Sequence, residues 1–193
     1  LMMAELLARG YDVVGMDAAA AMLARARHLL GPDATLIEAV LPDVGTDEVF
    51  DAAISTFDGL NYLPPADFRR SIDAIAARVR PGGWLIFDLH TDALMAFTLA
   101  NPLIAGEEQG YRFAITSDVD PHARSVVTTV DMVTIATGDS FTEQHRQYFH
   151  SDEQVRGALA DAGFGHIRVT QEYTTEPAGS GTLRATWIAR LGP

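Results

Sequence analysis

Residues 79–89 read VRPGGWLIFDL, and this stretch decides the fold class. Residues 84–89 form an apolar run with the composition of a strand that is buried on both faces. The Pro-Gly-Gly triplet at residues 81–83 ends a helix that the apolar spacing predicts over residues 66–80. A helix followed directly by a doubly buried strand is typical of α/β proteins with a parallel sheet.

The alternation of helix and strand continues from this stretch toward the N-terminus. Helices are predicted at residues 1–9 and 18–30, because apolar side chains recur at helical spacing and a glycine follows each segment. Strands separated by helices need right-handed crossovers, which predicts a Rossmann-like, mostly parallel sheet flanked by helices. The predicted strands of this part are residues 11–16, 35–40 and 50–55.

The C-terminal part has a different pattern. Three segments rich in valine, threonine and aromatic residues are separated by turn residues, which predicts an antiparallel β-meander inserted at residues 109–150. A capped helix and a final antiparallel hairpin are predicted after it. The meander strands are residues 111–118, 125–135 and 140–149; the helix is 151–162, and the hairpin strands are 165–172 and 182–189.

The composition narrows the classes of function. The chain has 193 residues, enough for one domain with a sizeable core, and no run of about eighteen apolar residues that would span a membrane. It lacks cysteine and lysine, which excludes disulfides, thiol nucleophiles and lysine Schiff bases. Its formal net charge of −12 argues against a nucleic-acid partner, because binding phosphates requires a basic face.

Asp17 follows the predicted strand at residues 11–16 and precedes a helix. In one interpretation its carboxylate accepts hydrogen bonds from both hydroxyls of a ribose, as an acid does in nucleotide-binding folds. In the other, Asp17 is an ordinary helix N-cap. The pattern alone leaves both open, because the glycine-rich loop that would decide lies about 20 residues upstream, before Leu1.

Four segments resemble class I S-adenosylmethionine-dependent methyltransferases. Residues 17–27 (DAAAAMLARAR) are similar to the acid that ends the family's second strand and to the helix after it, and residues 50–55 (FDAAIS) to its fourth strand. Residues 79–85 resemble the L-x-P-G-G turn into the fifth strand, and residues 160–164 (ADAGF) the helix end before the last hairpin. Because their order and spacing also match, the resemblance covers essentially the whole chain.

The resemblance implies a site for S-adenosylmethionine at the ends of the first strands. Asp17 would bind the ribose, and the neighbouring methionines would flank the adenosine. Val40 stands where the family often has an acid that binds the adenine amino group, so adenine would be recognised here by backbone groups, Glu38 or Asp43. The implied cofactor-binding residues are Asp17, Met16, Ala18, Met22, Ala39, Val40, Thr56 and Phe57.

Within the family, the loop at residues 57–63 and the meander resemble small-molecule N-methyltransferases, including enzymes that act on nucleotide-linked amino sugars. His145 matches a histidine of that subgroup that faces the substrate; without the resemblance it would be interpreted as a partly exposed strand residue. We therefore assign His145 as the leading candidate for a general base or substrate-orienting residue, with His90 second. The candidate substrate-binding residues are Asn61, Tyr62, Asp88 and Tyr148.

Alternatives to methyl transfer onto an amine stay open. They are transfer to a hydroxyl acceptor, a cofactor-binding relic without turnover, and a nicotinamide-dependent dehydrogenase. The Pro-Gly-Gly turn and the antiparallel final hairpin argue against the dehydrogenase. Asp88, His90 and His145 could ligate a divalent ion, but they show no tight ligand spacing, so no metal is predicted.

The resemblance also carries an expectation about the length of the protein. In the methyltransferase sheet the first strand lies between the second and the fourth, so residues 1–193 would be a single methyltransferase domain that lacks its first strand. We expect the native protein to be longer at its N-terminus. The resemblance further implies a bacterial, cytoplasmic enzyme of secondary metabolism that acts on a small-molecule acceptor, with a homodimer as one possible assembly.

Overall fold

The computed structural model describes residues 2–193, so the first residue of the predicted N-terminal helix lies outside the described residues. The chain divides into two compact units, Leu1–Val49 and Phe50–Pro193. The first unit contains a two-stranded parallel sheet and two helices, as the alternating pattern predicts. Its elements are α1 (Met2–Ala8), β1 (Val14–Asp17), α2 (Ala20–Leu30) and β2 (Thr35–Glu38).

The second unit contains two four-stranded sheets, of which the first is mixed. Its strands are, in order, β3 (Phe50–Ser55), β4 (Val79–His90), β10 (Arg184–Leu191) and β9 (Phe164–Gln171). The strands β3 and β4 run parallel, whereas β10 pairs antiparallel with both β4 and β9, which confirms the predicted final hairpin. Two helices, α3 (Pro65–Ala76) and α5 (Asp152–Asp161), pack on each other and on this sheet.

The core of the mixed sheet forms around Phe87 on β4. Phe68 of α3 meets Phe87 edge to face with ring centroids 6.4 Å apart, and Trp187 of β10 stacks on it at 6.2 Å. Ile72 and Ile75 of α3 are buried, which confirms the apolar face that the spacing predicts for this helix. Burying an aliphatic or phenylalanine side chain stabilises the fold by about 1.5–3 kcal/mol.

The Pro-Gly-Gly triplet lies inside β4, so the prediction that it ends a helix is wrong. The helix α3 ends at Ala76, and β4 begins at Val79, five residues before the predicted start of the strand. The pairing of β3 with β4 shifts register here, because the triplet forms a bulge with Gly82 at a φ of +77°. A Cβ on Gly83 would lie 2.7 Å from the Asp51 carbonyl oxygen, so this position requires glycine.

The second sheet of this unit is an antiparallel meander. Its strands are, in order, β5 (Leu103–Glu108), β6 (Tyr111–Asp120), β7 (Ser125–Thr134) and β8 (Ser140–Tyr148). The three predicted meander strands are confirmed as β6 to β8. The strand β5 and the preceding helix α4 (Asp92–Ala100) were not predicted, because residues 92–108 show no clear helical or alternating period.

His150 is buried between the end of β8 and α3. Its ring stacks on Phe68 with centroids 4.2 Å apart. Burial is the main cause that lowers the pKa of His150 to about 4, because the charged imidazolium would lose its hydration. The folded protein therefore holds this histidine in its neutral form at neutral pH.

This histidine predicts a loss of stability in acid. An unfolded histidine takes up a proton near its ordinary pKa of about 6.5, whereas the folded one resists protonation down to about 4. The stabilisation is complete above the unfolded pKa and decreases as the pH falls, by about 2–3 kcal/mol between pH 7.5 and 4.5. Urea unfolding of wild type and of His150→Gln, which keeps an N–H donor, measures the difference.

The exposed turn residue His122 supplies the matched control. The variant His122→Gln should retain the wild-type pH dependence, whereas His150→Gln should flatten it. Equal slopes for wild type and His150→Gln would contradict the assignment.

Candidate active site

The C-terminal ends of β1 and β2 bring four of the predicted cofactor-binding residues together. Met16 and Asp17 end β1, and the Asp17 carbonyl oxygen accepts a hydrogen bond of 3.2 Å from the N–H of Ala39, which follows β2. Met16, Asp17 and Val40 are exposed at this end of the small sheet. Ala18 and Met22, also predicted for the cofactor, follow β1 in the same unit and are exposed as well.

The two interpretations of Asp17 are compatible in the structure. One carboxylate oxygen, Oδ1, accepts the N–H of Ala19 at 2.8 Å and closes a turn before α2. The helix itself begins at Ala20, and its N-cap residue, Ala19, makes no side-chain cap. An exposed carboxylate with exposed methionines and a valine nearby offers the acceptors and apolar contacts that a ribose and a purine require. The residues present therefore fit the adenosine part of S-adenosylmethionine.

The loop after β3 holds two residues in the left-handed region. Phe57 and Asp58 have φ angles of +59° and +53°, which are unfavourable for residues with a Cβ. Two hydrogen bonds hold them: the Phe57 N–H donates to Tyr173 Oη at 3.0 Å, and the Asp58 N–H donates to Asp88 Oδ2 at 2.8 Å. The ring of Phe57, a predicted cofactor contact beside Thr56, is left exposed.

A cluster of charges lies beside this loop. Arg184 Nη2 donates to Asp58 Oδ1 at 3.0 Å, Nη1 donates to Glu172 Oε1 at 2.9 Å, and Nε lies 3.3 Å from Asp88 Oδ2. Gln147 of β8 donates from Nε2 to the other Asp58 oxygen at 2.6 Å. Asp88 is fully buried, and its Oδ1 has no hydrogen-bond partner in the part of the chain that the structure describes. Arg184 therefore compensates a carboxylate that water cannot reach.

His90, at the end of β4, faces the same cluster. Its Nε2 lies 3.7 Å from Asp58 Oδ2. Burial lowers the pKa of His90, and the positive charge of Arg184 adds to that effect, while Asp58 and Asp88 oppose it. The ring is therefore uncharged at neutral pH and can act as a hydrogen-bond partner or proton acceptor.

Asn61 joins three segments of the site. Its Oδ1 accepts the His90 N–H at 3.0 Å, and its Nδ2 donates to the Tyr148 carbonyl oxygen at 2.7 Å. The side chain is fully buried, and both polar atoms of its amide form hydrogen bonds with the backbone. Asn61 thus positions its neighbours, and the predicted substrate contact of this residue stays a prediction. Tyr148 contacts Asn61 only through its backbone carbonyl oxygen, and the predicted substrate contact of its side chain also stays a prediction.

Tyr62 and His145 form a polar pair that solvent can reach. The Tyr62 Oη and the His145 Nδ1 are 2.9 Å apart, and the two rings meet edge to face. His145 Nε2 lies 3.6 Å from Glu143 Oε1 on the same strand. Burial, with help from Asp58 and Glu143, raises the pKa of Tyr62, so the phenol keeps its proton at neutral pH.

Sequence reasoning anticipated much of this cluster. The structure brings together the predicted residues Asn61, Tyr62, Asp88, His90 and His145, all within the second unit. Roles were not predicted for Asp58, Gln147, Tyr173 and Arg184. Arg184 carried the clearest signal, because it stands at the start of an otherwise largely apolar strand, RATWIARL.

Comparisons with known proteins agree with this architecture. Residues 1–83 match the family described as a methyltransferase domain. The putative methyltransferase YqeM of Bacillus subtilis is 27% identical over 182 residues, which is 90% of this chain and 73% of the relative. A putative methyltransferase of Geobacillus sp. is 24% identical, over 96% of this chain and 78% of the relative.

Solved structures share the fold. An S-adenosylmethionine-dependent methyltransferase from Clostridium acetobutylicum superposes with a TM-score of 0.86 at 16% identity, covering 95% of this chain and 76% of its own. CalS10, an amino pentose methyltransferase from Micromonospora echinaspora, has a TM-score of 0.71 at 23% identity, covering 96% of this chain and 77% of its own.

The fold is the α/β fold of class I methyltransferases, as predicted. The domain match over residues 1–83 and the named relatives show that the chain is similar to methyltransferases, and the structural neighbour from Clostridium acetobutylicum is named as dependent on S-adenosylmethionine. Across residues 2–193, no helix is long and apolar enough to cross a membrane. The same residues contain no group of three His, Cys, Asp or Glu side chains that could hold a metal ion.

Proposed function

We propose that the protein methylates an amine nitrogen of a small molecule, and that His145 takes up the proton of the amine. The observation that carries the proposal is the arrangement of Tyr62, His145 and Glu143 at the accessible edge of a buried polar cluster. When bound, S-adenosylmethionine supplies an electrophilic methyl carbon: the C–N bond forms as the C–S bond breaks, and its electron pair stays on sulfur.

The Tyr62–His145–Glu143 geometry suits a base. An ammonium has no lone pair, so one proton must leave the amine before its nitrogen can attack the methyl carbon. With Nδ1–H donating to the phenol oxygen of Tyr62, the Nε2 of His145 is free to accept that proton. The imidazolium that results lies beside Glu143, whose carboxylate is 3.6 Å from Nε2 and stabilises the positive charge.

The charge of the site favours a cationic acceptor. Asp58, Asp88, Glu143 and Glu172 bring four carboxylates to the cluster, and Arg184 contacts three of them. With His90 uncharged, these groups sum to a net negative charge. Such a site attracts an ammonium and repels an anion. The names of two structural neighbours, an amino pentose methyltransferase and a sugar N-methyltransferase, give independent support for nitrogen as the acceptor atom.

For the cofactor, we propose the residues that the resemblance implies. The Asp17 carboxylate would accept hydrogen bonds from the ribose hydroxyls, and Met16, Met22 and Val40 would contact the adenosine. Backbone groups near Ala39 would recognise the adenine. For Thr56 and Phe57, a cofactor contact is proposed from the resemblance alone.

The proposal is tested by the choice of acceptor. The purified chain is supplied with S-adenosylmethionine and with amines or alcohols of matched carbon skeleton, and S-adenosylhomocysteine and methylated products are quantified. We expect methylated amines, with a rate that rises with pH as the ammonium loses its proton. Methyl ethers without methylated amines would overturn the amine assignment in favour of a hydroxyl acceptor.

A further inference from the structure

The two faces of the meander differ in composition. Side chains directly opposite in register point to the same side of a sheet, and they alternate sides along each strand. One face carries His145, and we call it the His145 face. Its rows are Gly106, Phe113, Met132 and Phe141; Ile104, Ile115, Val130 and Glu143; and Ser117, Thr128 and His145.

The opposite face is polar over the same area. It carries charged and hydroxyl side chains between small apolar ones, and its charged residues are largely paired, as Arg112 is with Glu107. Its rows are Glu107, Arg112, Val133 and Ser140; Ala105, Ala114, Asp131 and Thr142; and Leu103, Thr116, Thr129 and Gln144. The large apolar residues of this part of the sheet are therefore concentrated on the His145 face.

Much of the His145 face is left uncovered. Phe141 is 50% exposed and Ile104 is 43% exposed, whereas Val130 and Met132 are half-buried. Burial increases toward the cluster of charges at Asp58, where Val126 and Gln147 are buried. A contiguous exposed apolar area on a protein surface is typical of a site that binds another molecule.

The apolar area is continuous with the polar pair. Along β8, Glu143 and Phe141 follow His145 at alternate positions, so Phe141 lies about 13 Å from His145 by strand geometry. His145 and Glu143 lie at one end of the strip, and the apolar side chains occupy the rows of Val130 and Met132 in the middle. A row of Glu108, Tyr111 and Thr134 follows at the other end. A molecule that fits both the end at His145 and the apolar middle has a cationic end and an apolar body.

We propose that the acceptor is an amine with an extended apolar body, alkyl or aromatic, which lies along the His145 face. The amine end sits at His145 and Glu143, and the body covers Val130, Met132 and Phe141. This substrate class rests on the proposed amine methylation. Because the body of the acceptor would bind apolar side chains, we expect short amines and fully polar amines, such as a free amino sugar, to be poor acceptors.

A series of n-alkylamines tests the proposal with the full chain. Binding of butylamine, hexylamine and octylamine is measured by titration calorimetry, and kcat/KM is measured with S-adenosylmethionine. We expect the affinity to rise about two- to fourfold per added methylene and glucosamine to bind more weakly than hexylamine. Equal affinity for butylamine and octylamine would contradict the proposal that the acceptor has an extended apolar body. It would leave the proposed amine methylation intact.

Variants on the two faces of the sheet make the test specific. We expect Phe141→Ala to raise the Kd of octylamine about three- to tenfold and to lower the octylamine preference over butylamine, and Val130→Thr to act in the same direction. Val133→Thr is the matched control, because Val133 is half-buried on the same strand but faces the other side. Equal effects of Val130→Thr and Val133→Thr would contradict the proposal.

Two other outcomes identify a different occupant or a different acceptor. If sedimentation shows a dimer that Phe141→Ala dissociates, a second copy of the chain covers this face and the proposal is wrong. If alkanols and not alkylamines are methylated, with the same gain per methylene, the amine assignment fails and the role of the His145 face stands.

Discussion

Replacing His145 with alanine is expected to lower kcat/KM for the amine acceptor about 100- to 10,000-fold, the usual contribution of a general base. The loss should be largest at low pH and smaller at high pH, where the amine arrives neutral and needs no base. Affinity for S-adenosylmethionine should change little, because the proposed role concerns the acceptor. The measurement is a pH–rate profile of kcat/KM for wild type and variant, together with the Kd of the cofactor.

Further variants distinguish a role of His145 as a base from a purely structural role. His145→Gln can keep a hydrogen bond to the Tyr62 oxygen but cannot take up a proton, so it should remain as impaired as His145→Ala. Tyr62→Phe removes the partner of Nδ1 and should cost less than the loss of His145. His122→Ala, in an exposed turn, is the control. Near-normal turnover by His145→Gln would contradict the role of His145 as a base and would show that it only positions its neighbours.

Replacing Arg184 with methionine is expected to destabilise the protein by about 3–5 kcal/mol, because the charge of Asp88 is then left buried without its compensating cation. The Asp58 carboxylate also loses a hydrogen bond, whereas the two backbone hydrogen bonds that hold Phe57 and Asp58 do not involve Arg184. Urea unfolding of wild type and Arg184→Met measures the free-energy difference.

A second substitution tests the cause. Adding Asp88→Asn to Arg184→Met removes the uncompensated charge, so the double variant should regain about half or more of the lost stability. Arg190→Met on the same strand is the matched control, because Arg190 is exposed, lies over the Trp84 ring and donates to the Gly82 carbonyl oxygen. A loss of stability for Arg190→Met as large as that for Arg184→Met would contradict the assignment.

The fold was predictable where the sequence pattern is local. Alternation, caps and turns located the strands of the meander, the helix that Ser151 caps, and the final hairpin. The Pro-Gly-Gly bulge was misread because a helix end and a strand bulge use the same residues, and only the pairing partner of the strand distinguishes them. The strand β5 was missed because its weak alternation becomes visible only beside β6.

The site was predictable only in part, because most of its contacts join residues that are far apart in the sequence. His145 and Tyr62 stand 83 positions apart in the sequence, and no local spacing relates them; the resemblance to a family supplied His145. The Asp58–Arg184 contact spans 126 positions and was not predicted, because the sequence does not show which carboxylate a strand arginine will reach. Burial of Asn61 could not be predicted from its position after a strand, because its two backbone partners belong to different sheets.

The separation of the second unit into two sheets has a consequence for how acceptor preference can change. The strands of the meander pair only with one another, and Asn61 and Gln147 connect the meander to the loop after β3 and to the mixed sheet. Side chains on the His145 face can therefore be exchanged without altering the pairing of either sheet. Under the proposed function, substitutions in the row of Met132 and Phe141 can change which acceptor is bound, while His145 and Glu143 keep their positions.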